Sequence, residues 1–410
     1  MKLALKLSVV AILTIGSHVS MAQQMIWSQK ANPLDLQING MAFNQGGNQL
    51  LSGTNCHPAS IRRFETTTGQ LNWDYTLGSA FWCVMGVSIS ANGRYIAAIE
   101  EFGNLLLFEQ LGSVPVIIDT IRTNTSYAFA TAISPDNQLI AIGCSNGQLQ
   151  LHNIADTSAV IRINNAHPNW VTTVCWAPGR DKVATGGSDN RVKVWNRQGQ
   201  LLLNLAGHTD DISAVRISPD GNVLISASLD NRIRVWNLQT GALIRVISGH
   251  RGDVRGIDFS PDGTRMVSVS ADSSCRIWDV ASGTQMASFG VPDSGSLTAV
   301  AWSPLGNFIA TGNGRSDVVM WQLTAANVVE TAWSPGSLSV FPNPATEAIT
   351  LAHTAHALPQ QVYVIDALGR KTAVAVSEEQ QMDIRFLPPG HYRVHFTEDR
   401  QIFTTNFIKY

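Results

Sequence analysis

Two stretches of the chain carry the residue types of a hydrolytic triad at matching intervals. Each has a histidine, a serine, an aspartate two residues after the serine and a tryptophan six residues after the aspartate: His208, Ser228, Asp230 and Trp236, then His250, Ser270, Asp272 and Trp278. Serine, histidine and aspartate in contact would cleave an ester or an amide by acyl transfer. An active site needs its nucleophile and base once, so two copies at equivalent positions favour a structural role.

The composition favours an all-β protein and argues against a nucleic-acid partner. Only 14% of the residues are charged, against about 25% in an average domain, and the net charge is −2 without any basic run. The 33 glycines, 16 prolines and 11 tryptophans of the 410 residues indicate short aromatic-rich strands joined by tight turns.

The first 22 residues are predicted to be a secretory signal peptide. Lys2 and Lys6 precede an apolar run over residues 7–16, and Ser20 and Ala22 place small residues directly before the cleavage site. A membrane-spanning helix needs about 20 apolar residues, so this run is too short to cross a bilayer. We expect the mature chain to pass into the periplasm without a transmembrane segment.

The central part of the chain repeats one unit seven times. A glycine-histidine pair and a Ser-Pro-Asp-Gly turn mark the clearest copies, as at Gly207-His208 and 218–221. Positions equivalent to Trp236 recur every 41 to 44 residues: Phe64, Phe108, His152, Trp195, Trp236, Trp278 and Trp321. A period of about 40–45 residues is typical of a β-propeller with four strands in each blade. The first two copies are the most degenerate, so six or eight blades remain alternatives.

These units resemble the WD-repeat family, named for a Trp-Asp pair such as Trp278-Asp279. The resemblance implies a seven-bladed propeller in which His, Ser or Thr, Asp and Trp of one blade form a buried hydrogen-bonded relay. It assigns this structural relay to the two sets described above. In the fourth blade Gly187 takes the serine position, which leaves His167 in an incomplete set with Asp189 and Trp195.

The repeat register also predicts how the ring closes. The last unit has no fourth strand of its own after Trp321, and the segment 25–28 precedes the first unit. We therefore expect this N-terminal segment to pair as the outer strand of the seventh blade. The whole propeller is predicted to occupy residues 23–325.

Metal and cofactor chemistry has little support. His167, His208 and His250 belong to different blades at equivalent radius, so they would not converge on one ion. The five cysteines show none of the CxxC spacing of a zinc site: Cys56, Cys83, Cys144, Cys175 and Cys275. We predict no catalytic residue, metal ion or cofactor. Export permits disulfides, and the repeat register makes a bond between Cys56 and Cys83 geometrically feasible.

After a linker over residues 326–337, the chain changes character. The landmarks are a Phe-Pro-Asn-Pro run at 341–344, Asp-Ala-Leu-Gly-Arg at 366–370, Leu-Pro-Pro-Gly-His-Tyr-Arg-Val at 387–394 and a basic ending. They predict a small β-sandwich over 338–410 that resembles the C-terminal sorting domain of the type IX secretion system of Bacteroidetes. The resemblance implies that the translocon of that system reads this domain and delivers the protein into the medium or onto the cell surface. A carbohydrate-binding or structural β-sandwich is the alternative.

The resemblance to WD-repeat proteins implies a non-catalytic platform that binds a protein on the face where each innermost strand begins. Exposed aromatic and acidic residues on that face are the candidates for partner contact: Trp82, Tyr127, Trp170, Asp211 and Asp253. A glycan is a second candidate partner, since sugar rings stack on aromatic side chains. Capping of the blade packing is the alternative role of the rings, and solvated turns that of the aspartates.

A secreted hydrolase and a structural or adhesive surface protein remain the alternative functions. A propeller enzyme would gather its catalytic groups at the axial channel, whereas the predicted channel-facing residues Ala42, Ser88, Ala132 and Ala301 are small. Arg216 and Asp258 lie on the innermost strands of neighbouring blades, where we expect a structural ion pair near the channel.

Overall fold

The computed structural model describes residues 21–30, 37–54, 59–77, 83–112, 114–179, 181–290, 295–325, 338–341, 348–353, 361–366, 371–375, 381–387, 390–398 and 401–409. The chain divides into two compact units, Met1–Thr324 and Ala325–Tyr410. The elements of the described residues are β-strands, and none of them forms a helix long and apolar enough to cross a membrane.

The first unit contains seven antiparallel sheets of four strands each. Blade 1 comprises β2 (Ile38–Phe43), β3 (Gln49–Thr54), β4 (Ser60–Glu65) and β5 (Leu71–Thr76). Blade 2 comprises β6 (Val84–Ile89), β7 (Tyr95–Glu100), β8 (Asn104–Glu109) and β9 (Val116–Arg122). Blade 3 comprises β10 (Ala128–Ile133), β11 (Leu139–Cys144), β12 (Leu149–Asn153) and β13 (Val160–Ile163). Blade 4 comprises β14 (Val171–Trp176), β15 (Lys182–Gly187), β16 (Arg191–Asn196) and β17 (Leu201–Ala206).

The remaining blades follow the same order. Blade 5 comprises β18 (Ile212–Ile217), β19 (Val223–Ser228), β20 (Arg232–Asn237) and β21 (Leu243–Ser248). Blade 6 comprises β22 (Val254–Phe259), β23 (Arg265–Ser270), β24 (Cys275–Asp279) and β25 (Gln285–Phe289). Blade 7 comprises β26 (Leu297–Trp302), β27 (Phe308–Asn313), β28 (Asp317–Ala325) and, on its outer edge, β1 (Met21–Lys30).

The blades form a closed ring in which each innermost strand contacts the innermost strand of the next blade, and β26 contacts β2. The all-β fold and the seven blades are therefore confirmed. Both faces of a blade are covered by its neighbours, so the second strands are almost continuously buried, as in β19 and β23. The closely packed clusters between blades hold the ring together, since burial of apolar area is its main stabilising term.

The Ser-Pro-Asp-Gly turn shows why the first and second strands of a blade reverse so tightly. The Ser218 hydroxyl donates to the Asp220 carboxylate at 2.5 Å and accepts the backbone N–H of Val223 at 2.9 Å. Gly221 has φ of +74°, a conformation that a residue with a Cβ atom rarely adopts. Ser134 and Ser260 begin turns with the same side-chain hydrogen bonds.

The N-terminal strand closes the seventh blade, as the repeat register predicted. β1 pairs with β28 on the outer edge of the sheet. Trp27 is buried, packs near Phe64 of blade 1 and donates its indole N–H to the carbonyl of Thr66 at 2.7 Å. A Cβ atom on Gly69 would lie 2.7 Å from the Trp27 ring, so that glycine is needed for the close approach. The N-terminal strand thereby fastens blade 7 to blade 1.

The second unit consists of two antiparallel sheets. One has the order β29 (Leu338–Phe341), β30 (Ala348–His353) and β33 (Gln381–Asp383). The other has the order β32 (Lys371–Ala375), β31 (Gln361–Asp366), β34 (Gly390–Glu398) and β35 (Gln401–Lys409). Alternate residues of β31 and β34 are buried, among them Val362, Val364, Tyr392 and Val394. This alternation is the pattern expected of strands that cover a core on one face.

Candidate functional site

The His, Asp and Trp residues of the predicted relays are brought together within each blade, but the hydroxyl that joins them is not the predicted one. In blade 5, His208 Nδ1 lies 2.8 Å from the Asp230 carboxylate and His208 Nε2 lies 2.8 Å from the Ser226 hydroxyl. The Trp236 indole N–H donates to the same hydroxyl at 2.9 Å. In blade 6, Ser268 bonds His250 at 2.7 Å and Trp278 at 2.8 Å, while His250 lies 3.0 Å from Asp272.

The prediction that Ser228 and Ser270 belong to these relays is wrong by two residues. The Ser228 hydroxyl donates to the carbonyl of Asp210 at 2.9 Å and accepts the N–H of Asp230 at 3.1 Å. Ser270 makes the equivalent bonds in blade 6. Trp236 pairs with Leu224 in the strand register, so its indole reaches Ser226 two residues along, whereas Ser228 lies four residues, or about 13 Å, away.

The prediction for the fourth blade also needs correction, because its relay is complete. Thr185, and not the Gly187 position, supplies the hydroxyl. It lies 2.8 Å from His167 Nε2 and accepts the Trp195 indole N–H at 3.0 Å, while His167 Nδ1 lies 2.7 Å from Asp189. A cation four residues after each relay aspartate joins the set: Lys193, Arg234 and Arg276.

The relays have the hydrogen bonds of a catalytic triad without its accessibility. Ser226 is 0% exposed and its oxygen already accepts the Trp236 N–H. Burial lowers the pKa of His208, an effect that the Asp230 carboxylate opposes only in part. Burial would raise the pKa of Asp230, but the hydrogen bonds from His208 and from backbone N–H groups hold it below its usual range. A neutral imidazole between a hydroxyl and a carboxylate is consistent with a structural role, since no substrate can reach that hydroxyl.

Four of the predicted binding residues, Tyr127, Trp170, Asp211 and Asp253, lie on the upper face, defined as the face where each innermost strand begins. The carbonyls of Tyr127, Trp170 and Asp211 each accept a backbone N–H from the turn between the second and third strands of their own blade, at 3.0 to 3.1 Å. The N–H groups of Tyr127 and Trp170 donate in turn to Ser145 and Ser188 at 3.1 Å. These hydrogen bonds thus fix the backbone that carries the Tyr127 and Trp170 side chains.

The side chains themselves differ in exposure. Trp170 is 51% exposed and Tyr127 is 40% exposed, which does not fit rings that serve only to cap the blade packing. Asp211 and Asp253 are partly exposed, and Asp253 lies 3.8 Å from Arg255. Trp82 lies outside the described residues.

Two further aromatic side chains complete the surface, and sequence reasoning missed both. The Phe102 and Tyr127 rings have centroids 5.9 Å apart, and the Phe129 and Trp170 rings have centroids 5.3 Å apart. Phe129 is the second residue of β10. A comparison of this position around the seven blades would have found it, since the equivalent residues are Asn39, Met85, Phe129, Thr172, Ser213, Arg255 and Thr298.

These seven equivalent positions, each the second residue of an innermost strand, are called the inner ring. Four of its residues link neighbouring blades. Thr172 donates to the Ile212 carbonyl at 2.5 Å, and Ser213 donates to the Val254 carbonyl at 2.5 Å. Thr298 donates to the Ile38 carbonyl at 2.6 Å, and Asn39 donates to the Val84 carbonyl at 2.9 Å. Met85 and Phe129 carry apolar side chains where the other positions carry hydrogen-bonding groups.

A cavity of about 300 Å³ opens at this interruption of the polar ring. It brings together Trp170 and Asp211 of the predicted set, whereas Tyr127 and Asp253 do not line it. Its lining residues come from blades 1 to 5: Asn39, Met85, Phe129, Trp170, Thr172, Asp211, Ile212, Ser213 and Leu229. Burial raises the pKa of Asp211, and the charges of Asp210 and Asp189 raise it further.

The innermost strands also carry structural contacts between blades. Arg216 Nε lies 3.5 Å from the Asp258 carboxylate, which also accepts the backbone N–H of Trp302 at 2.8 Å. The expected ion pair between neighbouring blades is thus present. Among the described residues, no group of three or more His, Cys, Asp or Glu side chains is placed to hold a metal ion.

The cysteines fall into two groups. Cys144, Cys175 and Cys275 are buried free thiols, and burial raises the pKa of Cys144 to about 11 and that of Cys175 to about 12. Cys83 is disulfide-bonded. Cys56, for which the repeat register makes a bond to Cys83 geometrically feasible, lies outside the described residues.

A ring of seven four-stranded blades, braced by His, Ser or Thr, Asp and Trp relays, defines a WD-type β-propeller. The family description "WD domain, G-beta repeat" matches residues 159–196, 199–237, 241–279 and 283–322. The second unit matches "Secretion system C-terminal sorting domain" over residues 339–410. The chain therefore contains WD repeats and carries a type IX sorting domain, which marks proteins exported to the cell surface or beyond it.

The curated relatives described here match about a quarter to a third of the chain. The chain is 27% identical to the Denticleless protein homolog of Danio rerio over 113 residues, which is 27% of this chain and 18% of that protein. It is 28% identical to the protein groucho of Drosophila melanogaster over 29% of this chain and 16% of the relative. An uncharacterized WD repeat-containing protein of Synechocystis is 28% identical over 35% of this chain and 40% of its own length. The matched segments therefore span well under two thirds of these relatives.

Proposed function

We propose that this protein is an exported, non-catalytic platform that holds a protein partner on the upper face of its propeller, outside the cell or on its surface. In this proposal residues 1–22 are removed as the signal peptide, 23–325 form the platform, 326–337 are a linker and 338–410 address the chain to the type IX translocon. WD-repeat propellers generally bind proteins, and this general property supports the choice of partner.

The observation that carries the proposal is Trp170, which is half exposed beside a cavity and stands on a backbone fixed by hydrogen bonds. Binding hot spots are enriched in tryptophan and tyrosine that become buried at the centre of an interface. A pinned backbone reduces the conformational entropy lost on binding. Tyr127 and Phe102 extend the aromatic surface onto blades 2 and 3.

An enzymatic role has less support, because the hydroxyls in the two triad-like relays, Ser226 and Ser268, are buried and already bonded to indole N–H groups. Acyl transfer needs a nucleophile that a substrate can approach.

The test is capture of partners from the native cell surface and medium with the full mature chain, comparing the wild type with Trp170→Ala and Tyr127→Ala. Leu111→Ala is the matched control, since Leu111 is 74% exposed in a turn after β8, at the opposite face. We expect one protein to be retained by the wild type and the control, and reduced at least tenfold by Trp170→Ala. Equal retention by all four chains would contradict the proposal, as would capture that is lost only with Leu111→Ala.

A further inference from the structure

The cavity on the upper face combines three apolar walls with one charge. Met85, Phe129 and Trp170 supply the walls, and Phe129 and Trp170 stand 5.3 Å apart between ring centroids. Among the described residues that line it, Asp211 is the only charged one. Met85 and Phe129 stand where four other blades place a polar side chain that links them to the next blade. The ring fold therefore does not require apolar residues there, and their role is better sought in a ligand.

The charge of Asp211 is not neutralised within the described part of the chain. Asp211 makes no ion pair there, and its nearest electrostatic influences, Asp210 and Asp189, are also acidic. Arg255 occupies the inner-ring position of blade 6, but it pairs with Asp253 and does not line the cavity. A carboxylate in a partly apolar site favours a cationic guest, since low dielectric strengthens their attraction.

We propose that this cavity receives one lysine or arginine side chain of a partner polypeptide, an inference that rests on the proposed binding function of the upper face. The methylene stem would lie against Met85, the cationic group would face the Phe129 and Trp170 rings, and Asp211 would supply the counter-charge. Aromatic faces attract ammonium and guanidinium groups. The volume of about 300 Å³ is at the lower end of the range for ligand pockets, which suits one side chain better than a larger ligand.

The test uses the full mature chain and four fluorescent Gly/Ser decapeptides that differ only at a central arginine, lysine, citrulline or norleucine. Citrulline keeps the shape of arginine without its charge, and norleucine keeps the stem of lysine. We expect the arginine or the lysine peptide to bind at least tenfold more tightly than its neutral counterpart in fluorescence anisotropy. Asp211→Asn and Trp170→Ala should each remove that preference, and the neighbouring Asp253→Asn should preserve it.

Thermal unfolding of each variant controls for folding, and Asp211→Asn keeps the backbone bonds at this position intact. Three results would overturn the inference: equal binding of charged and neutral peptides, a preference that survives Asp211→Asn, or no binding of either cationic peptide up to about 10 mM. Trp170-dependent binding of methyl N-acetylglucosaminide in place of the peptides would overturn it as well.

The same variants separate this inference from the proposed function. Partner capture that needs Trp170 but tolerates Asp211→Asn would refute the basic side chain and leave the binding platform standing. Partner capture that is unchanged by both Trp170→Ala and Asp211→Asn would refute the platform, even if the cationic peptides bind.

Discussion

Nε2 of His208 lies 2.8 Å from the Ser226 hydroxyl, the contact that a serine hydrolase uses to activate its nucleophile. Here the same hydroxyl also accepts the Trp236 N–H, and Ser226 is fully buried. The pair therefore serves to satisfy buried polar groups. In blade 5 the relay joins His208, which lies before the innermost strand, to the second and third strands, and His167 and His250 do the same in blades 4 and 6.

The relay assignment can be tested by coupling energies. Ser226→Ala leaves buried partners without a hydrogen bond and should lower the free energy of unfolding by about 1–3 kcal/mol. Because Trp236 donates to Ser226, the double variant with Trp236→Phe should show a coupling energy of about 0.5–3 kcal/mol in urea unfolding. Ser228→Ala paired with Trp236→Phe should be nearly additive. Coupling to Ser228 instead would contradict the observed geometry.

The relays also predict loss of stability in two acidic steps. Burial lowers the folded-state pKa of His208 and His250, so the unfolded chain takes up protons more readily below about pH 6.5. Their contribution is fully present above that pH and declines as the pH falls toward the folded-state pKa. Asp230 and Asp272 have pKa values held below the usual range despite burial, so their contribution is lost only below about pH 4.

Urea unfolding at pH 7.5 and pH 5.5 would measure the first step. The wild type should be less stable at pH 5.5, and the double variant His208→Gln and His250→Gln should show a smaller difference between the two pH values. An undiminished difference in the double variant would assign the step to other groups. His208→Gln alone should give an intermediate value, since the two histidines lie in separate blades.

The number of blades was predictable because one buried position per unit, filled by Trp236 and its equivalents, recurs at near-constant spacing. The choice between Ser226 and Ser228 was not, because both point to the same side of β19 and only the register with β20 decides which one meets the indole. Likewise, Trp170 was predictable as a candidate from its place before β14. Its partner Phe129 was not, since their contact joins two blades and depends on the ring geometry.

Trp27 is predicted to control closure of the ring. Trp27→Ala removes a buried ring between blades 7 and 1 together with its bond to the Thr66 carbonyl, and should cost about 3–5 kcal/mol of stability. Proteolysis should then cut first near residues 25–30, where β1 would be released. Met25→Ala is the control on the same strand, because Met25 is 50% exposed and should change stability by no more than about 0.5 kcal/mol. Equal effects of the two substitutions would argue against closure through Trp27.

The cysteines should differ in their reactivity toward alkylating reagents. Cys83 is bonded, and the repeat register makes a bond to Cys56 geometrically feasible, so we expect peptide mapping of the native protein to recover those two cysteines in one disulfide-linked fragment. Cys144, Cys175 and Cys275 should resist alkylation at pH 8, since they are buried and remain protonated there. Denaturation should expose all three. Rapid labelling of the folded protein, or a fragment that links Cys83 to another cysteine, would contradict this assignment.

The sorting domain should decide where the propeller is found. The two units have separate sheets and cores, so deletion of residues 338–410 should leave a folded propeller that has lost its export address. We expect this truncated chain to accumulate in the periplasm, and a reporter enzyme fused ahead of residues 338–410 to reach the surface or the medium. Cell fractionation and immunoblotting would measure both, with a strain that lacks the type IX translocon as the control. Appearance of the truncated chain in the medium at the full-length level would show that the propeller is exported without this domain, and would remove the role assigned to it.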